Sequence, residues 1–284
     1  MNLYLNGQFV PPESANVSVL DRGFLFGDGV YEVIPVYRRR PFYLDRHLDR
    51  LQKSLDGIRM KNPHSRQGWA DIVEQLIAQN DADDQYLYLQ VTRGVMAKRD
   101  HAFSADLTPT VLGITNALPT IPEDYLKDGV AAITQKDIRW ANCHLKTTAL
   151  LPNTLLRQAA VDAGAMEAIL LCNGVVTEGA ASNIVIVHRK TIISPVRDRR
   201  MLHGVTLDVV EQLAERHCIP MVFRDVTEAE LRRFAEEVWL LASTKEVIPI
   251  TRIDKCPVGD GVPGPMFKRM HDYYQAHKRE LSDG

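Results

Sequence analysis

The stretch from Leu20 to Tyr37 reads LDRGFLFGDGVYEVIPVY. Its first half combines glycines with aromatic residues, while its second half, from Val30 onward, is rich in β-branched and aromatic side chains. Such side chains favour a strand because they pack well on a pleated surface. The stretch therefore predicts a strand over 30–37 that directly follows a glycine-rich segment.

The sequence on both sides of this stretch alternates between strand and helix patterns. Asn6-Gly7 lies between two short apolar runs and predicts a hairpin over 3–10, because this dipeptide favours the tight turn between antiparallel strands. Apolar residues recur at helical spacing over 48–58 and again over 69–77, and strand patterns follow at 86–92 and 111–115.

The second half of the chain shows the same mixture of elements. Strand patterns occur at 130–133, 167–171, 184–187 and 238–241, and helix patterns at 150–163, 205–216 and 266–277. Thr227 and Glu230 form a capping-box pattern ahead of a short helix. Because strands and helices do not alternate strictly, the predicted fold class is α/β in the mixed α+β sense.

A domain boundary is predicted between Ala117 and Asp124, where two prolines interrupt the apolar segments. We expect a smaller N-terminal α/β domain over 1–118, an interdomain linker over 119–123 and a larger C-terminal α/β domain over 124–284.

Composition restricts the class of partner. The 284 residues carry 34 basic and 36 acidic side chains, for a formal charge of -2. Nucleic acid or an anionic membrane would favour a basic excess, so neither is predicted as a partner.

The first ten residues lack the basic and apolar regions of a secretory signal, and the four cysteines are widely spaced. These features predict a cytoplasmic protein with free thiols.

Several common catalytic motifs are absent from the sequence. It contains no Walker A loop, no H-E-x-x-H and no G-x-S-x-G, and the run Gly27-Asp28-Gly29 does not continue as a G-x-G-x-x-G motif. Cys143 and His144 are adjacent, but neighbours in sequence rarely make a tetrahedral metal site alone. No metal site is therefore predicted.

Four segments carry the residues with the clearest chemistry. They are 21–32, 47–51, Lys146-Thr147 ahead of a helix, and 177–183 with the sequence TEGAASN. In this order they resemble the fold-type IV aminotransferases that use pyridoxal 5′-phosphate. That family contains D-amino-acid transaminases, branched-chain aminotransferases, 4-amino-4-deoxychorismate lyases and R-selective amine transaminases. The resemblance spans nearly the whole chain and implies a two-domain fold with the cofactor between the domains.

The resemblance assigns catalytic roles to Lys146 and Glu178. Pyridoxal phosphate needs an amine for a Schiff base, and Lys146 matches the lysine of the family. An apolar setting lowers the cost of deprotonating a lysine, which allows it to bind the cofactor and later transfer a proton. Glu178 matches the carboxylate that keeps the pyridine nitrogen protonated, so that the ring can accept electrons.

The resemblance also implies the residues that hold the cofactor. Arg50 matches a phosphate-binding arginine, and Leu202 matches a leucine packed against the cofactor ring. Val205 and Thr206 follow Gly204 at a predicted helix start, where backbone N–H groups bind anions. Ser243 and Thr244 match a pair of hydroxyls on the phosphate side.

The segment Arg99-Asp100-His101 favours one branch of the family. D-amino-acid transaminases carry an Arg-x-His pair here that binds the substrate carboxylate together with a tyrosine matched by Tyr31. Arginine suits this role because its fork can bind a carboxylate through two hydrogen bonds. In the family this loop reaches the site of the neighbouring subunit, which implies a homodimer.

The predicted function is the transfer of an amino group from a D-amino acid, such as D-alanine or D-glutamate, to 2-oxoglutarate or pyruvate. Two alternatives share the cofactor residues: a branched-chain L-amino-acid aminotransferase and a 4-amino-4-deoxychorismate lyase. A third alternative is a catalytically silent binding module, against which the presence of Lys146, Glu178 and Arg50 argues.

Overall fold

The computed structural model describes residues 2–283 of the chain. The chain divides into two compact units, one of Met1–Pro119 with Leu145–Leu150 and one of Thr120–His144 with Leu151–Gly284. The predicted division placed 124–284 in one continuous domain, whereas Leu145–Leu150 belongs to the first unit. No helix within residues 2–283 is both long enough and apolar enough to cross a membrane.

The first unit combines one antiparallel sheet with short and medium-length helices. Its strands are β1 (Leu3–Leu5), β2 (Gln8–Val10), β3 (Gly29–Tyr37), β4 (Arg40–Pro41), β5 (Gln85–Thr92) and β6 (Thr110–Ala117). Its helices are a 3-10 turn (Pro12–Ser14), α1 (Arg22–Phe26), α2 (Leu44–Gly57) and α3 (Arg66–Ala78).

The sheet of the first unit has the order β2-β1-β6-β5-β3-β4. The apolar faces of α2 and α3 pack on it and form one core, in which Leu51, Leu55 and Leu76 are fully buried. Burial of such side chains is the main favourable term for the fold of this unit. The core fixes β3 and α2, which carry the glutamate, histidine and arginine described below.

The second unit is built on a mixed sheet. Its strands are β7 (Val130–Lys136), β8 (Glu167–Cys172), β9 (Val175–Gly179), β10 (Asn183–His188), β11 (Thr191–Ser194), β12 (Met221–Phe223), β13 (Glu237–Ala242), β14 (Glu246–Ile253) and β15 (Cys256–Pro257). Its helices are α4 (Glu123–Lys127), α5 (Leu151–Asp162), α6 (Val205–Arg216), α7 (Glu228–Arg233) and α8 (Pro265–Asp283).

The mixed sheet has the order β12-β11-β10-β13-β14-β7-β8-β9, with β15 paired to β14. The β14-β7 and β7-β8 pairs are parallel, whereas β10-β13 and β13-β14 are antiparallel. Helices α6 and α8 pack on β13 and on each other, and α5 packs on β7 and β8. The mixture of parallel and antiparallel pairs confirms the predicted α/β class.

The predicted elements of both halves are present. Most of their ends shift by at most four residues, whereas α8 extends six residues beyond its predicted end. The Asn6-Gly7 turn has both residues at positive φ, as its hairpin requires, and the capping box of Thr227 and Glu230 is formed. Helix α1, which is only five residues long, was not predicted. Strand β14 was not predicted either, because Pro249 within it argues against a strand.

Candidate active site

Lys146 lies beside the first residues of β3. Its C=O accepts a hydrogen bond from the Tyr31 N–H at 2.9 Å, and its N–H donates to Ser54 Oγ at 3.1 Å. The next residue, Thr147, forms an antiparallel bridge with Val30. These bonds explain why Leu145–Leu150 belongs to the first unit, and they fix the backbone from which the lysine side chain extends.

The Lys146 amine lies over an aromatic ring. Its Nζ atom is 4.1 Å from the centroid of the Tyr31 ring, at a distance where a cation is attracted to the ring face. Among residues 2–283, the structure gives Nζ no hydrogen bond and no ion pair. Tyr31 also contacts Tyr88, with ring centroids 5.5 Å apart. The amine is therefore positioned without being neutralised by a carboxylate.

A buried ion pair lies in the same unit, and we call Glu32, His47 and Arg50 the Glu32 cluster. The Arg50 guanidinium donates from Nε to Glu32 Oε1 and from Nη2 to Oε2, both at 2.7 Å. His47 Nδ1 lies 2.8 Å from Glu32 Oε2. Arg50 and His47 come from α2 and Glu32 from β3, so the cluster joins helix and sheet.

The charge states of the Glu32 cluster follow from these contacts. Burial alone would raise the pKa of Glu32, but Arg50 and His47 outweigh it and lower the pKa to about 2. Burial lowers the pKa of His47, which keeps its ring neutral near pH 7. Nδ1 therefore donates its proton to Glu32, and Nε2 is a buried acceptor with no partner among residues 2–283.

The second unit contains another buried set of charges, and we call Asp137, Arg139 and Glu178 the Glu178 cluster. Arg139 donates to Asp137 Oδ1 at 3.0 Å and to Oδ2 at 2.8 Å, and its Nη1 donates to Glu178 Oε1. Glu178 Oε2 accepts from the Leu202 N–H and from Asn183 Nδ2, each at 3.1 Å.

The Glu178 cluster contains two carboxylates and a single cation. Burial raises the pKa of Glu178 to about 7, while Arg139 opposes that shift. Burial would likewise raise the pKa of Asp137, but Arg139 and Thr177 hold it below its ordinary value. With both carboxylates ionised, the cluster carries one net negative charge, which matches a protonated ring nitrogen.

Three of the predicted cofactor-binding residues, Leu202, Val205 and Thr206, lie close to Glu178 in the second unit, whereas Arg50 lies in the first. Leu202 is linked to Glu178 through its N–H, and its C=O accepts from Asn183 Nδ2 at 2.8 Å. Gly204 is the N-cap of α6, and within residues 2–283 no side-chain hydrogen bond caps the helix that begins with Val205 and Thr206. A Cβ atom on Gly204 would collide with Asn183 Oδ1, so this approach requires glycine.

Ser243 and Thr244 lie at the same end of the mixed sheet. They form the turn between β13 and β14, and Leu241 pairs with Asn183 across the antiparallel β13-β10 ladder. The register therefore places Ser243 and Thr244 just beyond the end of the sheet at which β10 begins. The structure thus brings together Glu178, Leu202, the start of α6 and the Ser243-Thr244 turn.

Arg99 and His101 lie in an exposed loop between β5 and β6. The Arg99 guanidinium carbon is 4.9 Å from the centroid of the Phe26 ring, and the His101 ring lies 5.3 Å from the same ring. Tyr31 instead contacts Tyr88 and Lys146. The structure therefore joins Arg99 to His101 through Phe26 and places Tyr31 with the lysine.

Sequence reasoning missed three residues that complete these clusters. His47 lies one helical turn before Arg50, and this spacing on α2 was a usable signal. Asp137 and Arg139 directly follow β7, and an acidic and a cationic residue two positions apart give only a weak indication of a buried ion pair. Their role depends on the pairing of β7 with β8, which a single sequence does not specify.

The residues present fit pyridoxal phosphate. Lys146 offers an amine without a polar partner in the described chain, and the Glu178 cluster offers a net negative charge. The uncapped start of α6 offers backbone N–H groups to an anion. The unpartnered His47 Nε2 is a further buried polar atom that a bound group could satisfy.

Comparison with known proteins supports this assignment. The sequence model of the family "Amino-transferase class IV" matches residues 29–253. The D-alanine aminotransferase of Listeria monocytogenes serotype 1/2a (strain 10403S) is 37% identical over 276 residues, which cover 96% of this chain and 95% of that protein. The D-alanine aminotransferase of Bacillus licheniformis is 39% identical over 275 residues, which cover 97% and 96%.

Among solved structures, the branched-chain aminotransferase of the thermophilic archaeon Thermoproteus uzoniensis, solved with norvaline, superposes with a TM-score of 0.86. It is 26% identical, and the match covers 100% of this chain and 95% of that one. The family model matches most of the chain, and two relatives with 37% and 39% identity match nearly all of it, so this chain belongs to the class IV aminotransferases.

Proposed function

We propose that this protein is a pyridoxal-phosphate-dependent transaminase that moves the amino group of a D-amino acid to a 2-oxo acid. D-alanine and D-glutamate are the proposed donors, and 2-oxoglutarate and pyruvate are the proposed acceptors. The observation that carries the proposal is the Lys146 amine, which lies over the Tyr31 ring without a polar partner in the described chain. The D-branch is supported by two D-alanine aminotransferases that resemble this chain over nearly its full length.

The binding residues have distinct roles in this proposal. Arg50 contributes to the phosphate site, and Glu32 fixes the orientation of its guanidinium through Nε and Nη2. The N–H groups at the start of α6, including those of Val205 and Thr206, donate to the phosphate together with the hydroxyls of Ser243 and Thr244. Leu202 packs against the ring of the cofactor.

Bound at Lys146, pyridoxal phosphate supplies an aldehyde carbon for the amino group and a ring that accepts electrons. The Glu178 carboxylate holds a proton at the pyridine nitrogen of that ring. Its raised pKa supports this role, because a carboxylate that Arg139 only partly satisfies gains more from a further cationic N–H.

Lys146 carries out the proton transfer. Nζ would remove the α-proton of the amino acid in one half-reaction and would return a proton to the α-carbon of the product amino acid in the other. The Tyr31 ring keeps Nζ in place during these steps. Arg99 and His101 bind the substrate carboxylate and so select the face that the lysine meets.

We extend the proposal to the cellular setting and the assembly. The four cysteines are free thiols, as is typical of a reducing cytoplasm. Arg99 and His101 are exposed in the single chain, which is compatible with a loop that serves the site of a second subunit. A cytoplasmic homodimer accounts for both observations.

A second candidate function is a branched-chain L-amino-acid aminotransferase. The observation that favours it is the close superposition on the Thermoproteus uzoniensis branched-chain aminotransferase. The two candidates share Lys146 and Glu178 and differ in how the carboxylate of the substrate is bound.

Paired assays separate the two candidates. Purified protein is incubated with 2-oxoglutarate and each of D-alanine, L-leucine and L-valine, and in a parallel assay with pyruvate and D-glutamate. The new 2-oxo acid is quantified in each case. We expect the D-amino acids to react at least about 10-fold faster in kcat/KM. Faster reaction of L-leucine or L-valine would reject the D-amino-acid assignment. Lys146→Ala should remove both the activity and the yellow colour of the bound cofactor.

A further inference from the structure

The segment before β3 forms a small capped helix whose role is not explained by the residues assigned so far. Asp21 caps α1 by accepting the Gly23 N–H at 2.7 Å, and Gly27 ends it in the left-handed conformation with φ +65°. Gly27 suits this end because glycine adopts positive φ without strain. The cap and the terminal glycine fix the short helix in one place.

Arg22 is the first residue of α1 and is buried, with 4% of its surface exposed. Its guanidinium donates to three successive backbone carbonyls in the 98–103 loop. The distances are 2.6 Å to Asp100, 3.0 Å to His101 and 3.3 Å to Ala102. A planar fork with several donors can bind a run of carbonyls in this way, whereas a single ammonium cannot.

The charge of Arg22 is balanced by a neighbour outside the loop. Asp28 accepts from Arg22 Nε at 2.8 Å and also from Arg93 at 2.8 and 2.9 Å. Arg93 donates in turn to the Ile58 carbonyl and stacks on the Phe103 ring at 3.7 Å. The two buried arginines and the partly buried Asp28 form a frame around the base of the loop.

Phe26, at the other end of α1, contacts the loop side chains. Its ring lies 4.9 Å from the Arg99 guanidinium carbon and 5.3 Å from the His101 ring, and Arg22 is 4.8 Å away on the same helix. Arg22 of α1 therefore binds the backbone of the loop, and Phe26 of α1 contacts the side chains of Arg99 and His101.

We infer that α1 is the support that positions Arg99 and His101 for the substrate carboxylate, with Arg22 and Phe26 as the positioning residues. The inference rests on the proposed function, since it assigns a support to the carboxylate site named there. Neither residue contacts the substrate. A loop held by its carbonyls presents its side chains in one arrangement, which reduces the entropy lost when the carboxylate binds.

The test is a double-mutant cycle between Arg22→Gln and Arg99→Ala in the holoenzyme. Asp28 keeps Arg93 when Arg22 is replaced, so the variant leaves no unpaired carboxylate in the frame. We expect Arg22→Gln to raise KM for D-alanine by about 10-fold and to change kcat by less than about 3-fold. In the Arg99→Ala background the same change should add less than about 2-fold to KM.

A second measurement reports on the loop without enzyme activity. Trypsin cleaves after Lys98 and Arg99, and release of the loop backbone should speed cleavage at these sites in Arg22→Gln. The visible spectrum of the bound cofactor should be unchanged. Lys98→Ala is the matched control for the KM measurement, because Lys98 lies in the same loop and has no hydrogen bond or ion pair among the described residues. The KM of this variant for D-alanine should equal that of the wild type.

The results separate this inference from the proposed function. KM effects that multiply in the double mutant, or unchanged trypsin cleavage in Arg22→Gln, would overturn the role of α1. Preference of the wild type for L-amino acids would instead reject the proposed function, while the trypsin comparison would still test the support of the loop. If Arg22→Gln does not fold, Phe26→Leu replaces it in the same cycle, with the same expected non-additivity.

Discussion

The Glu32 cluster and the Glu178 cluster are both buried pairings of a glutamate with an arginine, yet their carboxylates have opposite properties. The pKa of Glu32 is lowered to about 2, whereas that of Glu178 is raised to about 7. Both carboxylates lose their hydration, and in both clusters burial is the largest influence on the pKa. Burial alone therefore does not decide the charge state.

The difference lies in how each arginine divides its hydrogen bonds between carboxylates. Arg50 gives two hydrogen bonds to Glu32, and His47 adds a third contact. Arg139 instead gives two bonds to Asp137 and one to Glu178. Glu32 is thus a permanent structural anion, whereas Glu178 requires a further cation to remain ionised, and a protonated pyridine nitrogen provides one.

The largest expected effect comes from removing the charge of Glu178. Glu178→Gln keeps the shape of the side chain but cannot hold a proton at the pyridine nitrogen. We expect kcat with D-alanine and 2-oxoglutarate to fall by about 100-fold or more, as for the loss of a single stabilising group at a reacting centre. Steady-state kinetics measures this effect. An unchanged kcat would show that Glu178 has no role in the reaction.

The equivalent change in the other cluster should lower the stability of the cofactor-free protein. Glu32→Gln leaves the Arg50 guanidinium buried without its carboxylate, which costs about 3 kcal/mol in the free energy of unfolding. Denaturant unfolding of the cofactor-free protein measures this loss. The matched control is Asp49→Asn on α2, the helix that carries Arg50. The ion pair of Asp49 with Arg66 is exposed and screened by water, so this variant should lose far less stability. Equal losses in the two variants would contradict the account.

The two clusters should also differ in the pH dependence of stability. Because the folded-state pKa of Glu178 is above its ordinary value of 4.5, its contribution is present below pH 4.5 and is lost as the pH rises toward 7. Glu32 has a lowered pKa, so its contribution is present above pH 4.5 and is lost as the pH falls toward 2.

Unfolding of the cofactor-free protein at several pH values tests these opposite slopes. The wild type should lose stability relative to Glu178→Gln between about pH 5 and about pH 8. Relative to Glu32→Gln, it should instead lose its advantage between about pH 5 and about pH 3. Parallel curves for all three proteins would refute the assigned charge states.

The smallest expected effect comes from changing which carboxylate Arg139 binds. Asp137→Asn removes the competitor for Arg139, so the pKa of Glu178 should fall and the cluster should become neutral. A neutral cluster attracts the protonated nitrogen less, and we expect kcat to fall by about 3-fold. The pH at which wild type and Glu178→Gln diverge in stability should move down when both carry Asp137→Asn. A kcat loss as large as that of Glu178→Gln would contradict this ranking.

Local sequence patterns were sufficient to predict much of the fold. The Asn6-Gly7 hairpin, the capping box at Thr227 and the apolar spacing of α2 each depend on residues close in sequence, and each is present. Strand β14 was missed because Pro249 opposes a strand locally, while the pairing of β14 with β13 and β7 overrides that preference.

The same distinction applies to the candidate site. Lys146, Glu178 and Arg50 were predicted from short motifs, but His47 and Arg139, which lower the pKa values of the two buried glutamates, were not. Arg139 reaches Glu178 only after β7, β8 and β9 assemble, and Arg22 reaches the 98–103 loop only in the folded unit. Such contacts join residues far apart in sequence, so no local pattern encodes them.

The most direct test of the central claim follows the visible absorbance of the cofactor-loaded protein when one amino acid is added without a 2-oxo acid. We predict that D-alanine removes the visible band of the cofactor bound at Lys146, that pyruvate restores it, and that L-leucine at the same concentration leaves it unchanged. Loss of the band with L-leucine but not with D-alanine, or a protein that takes up no cofactor, would contradict the account.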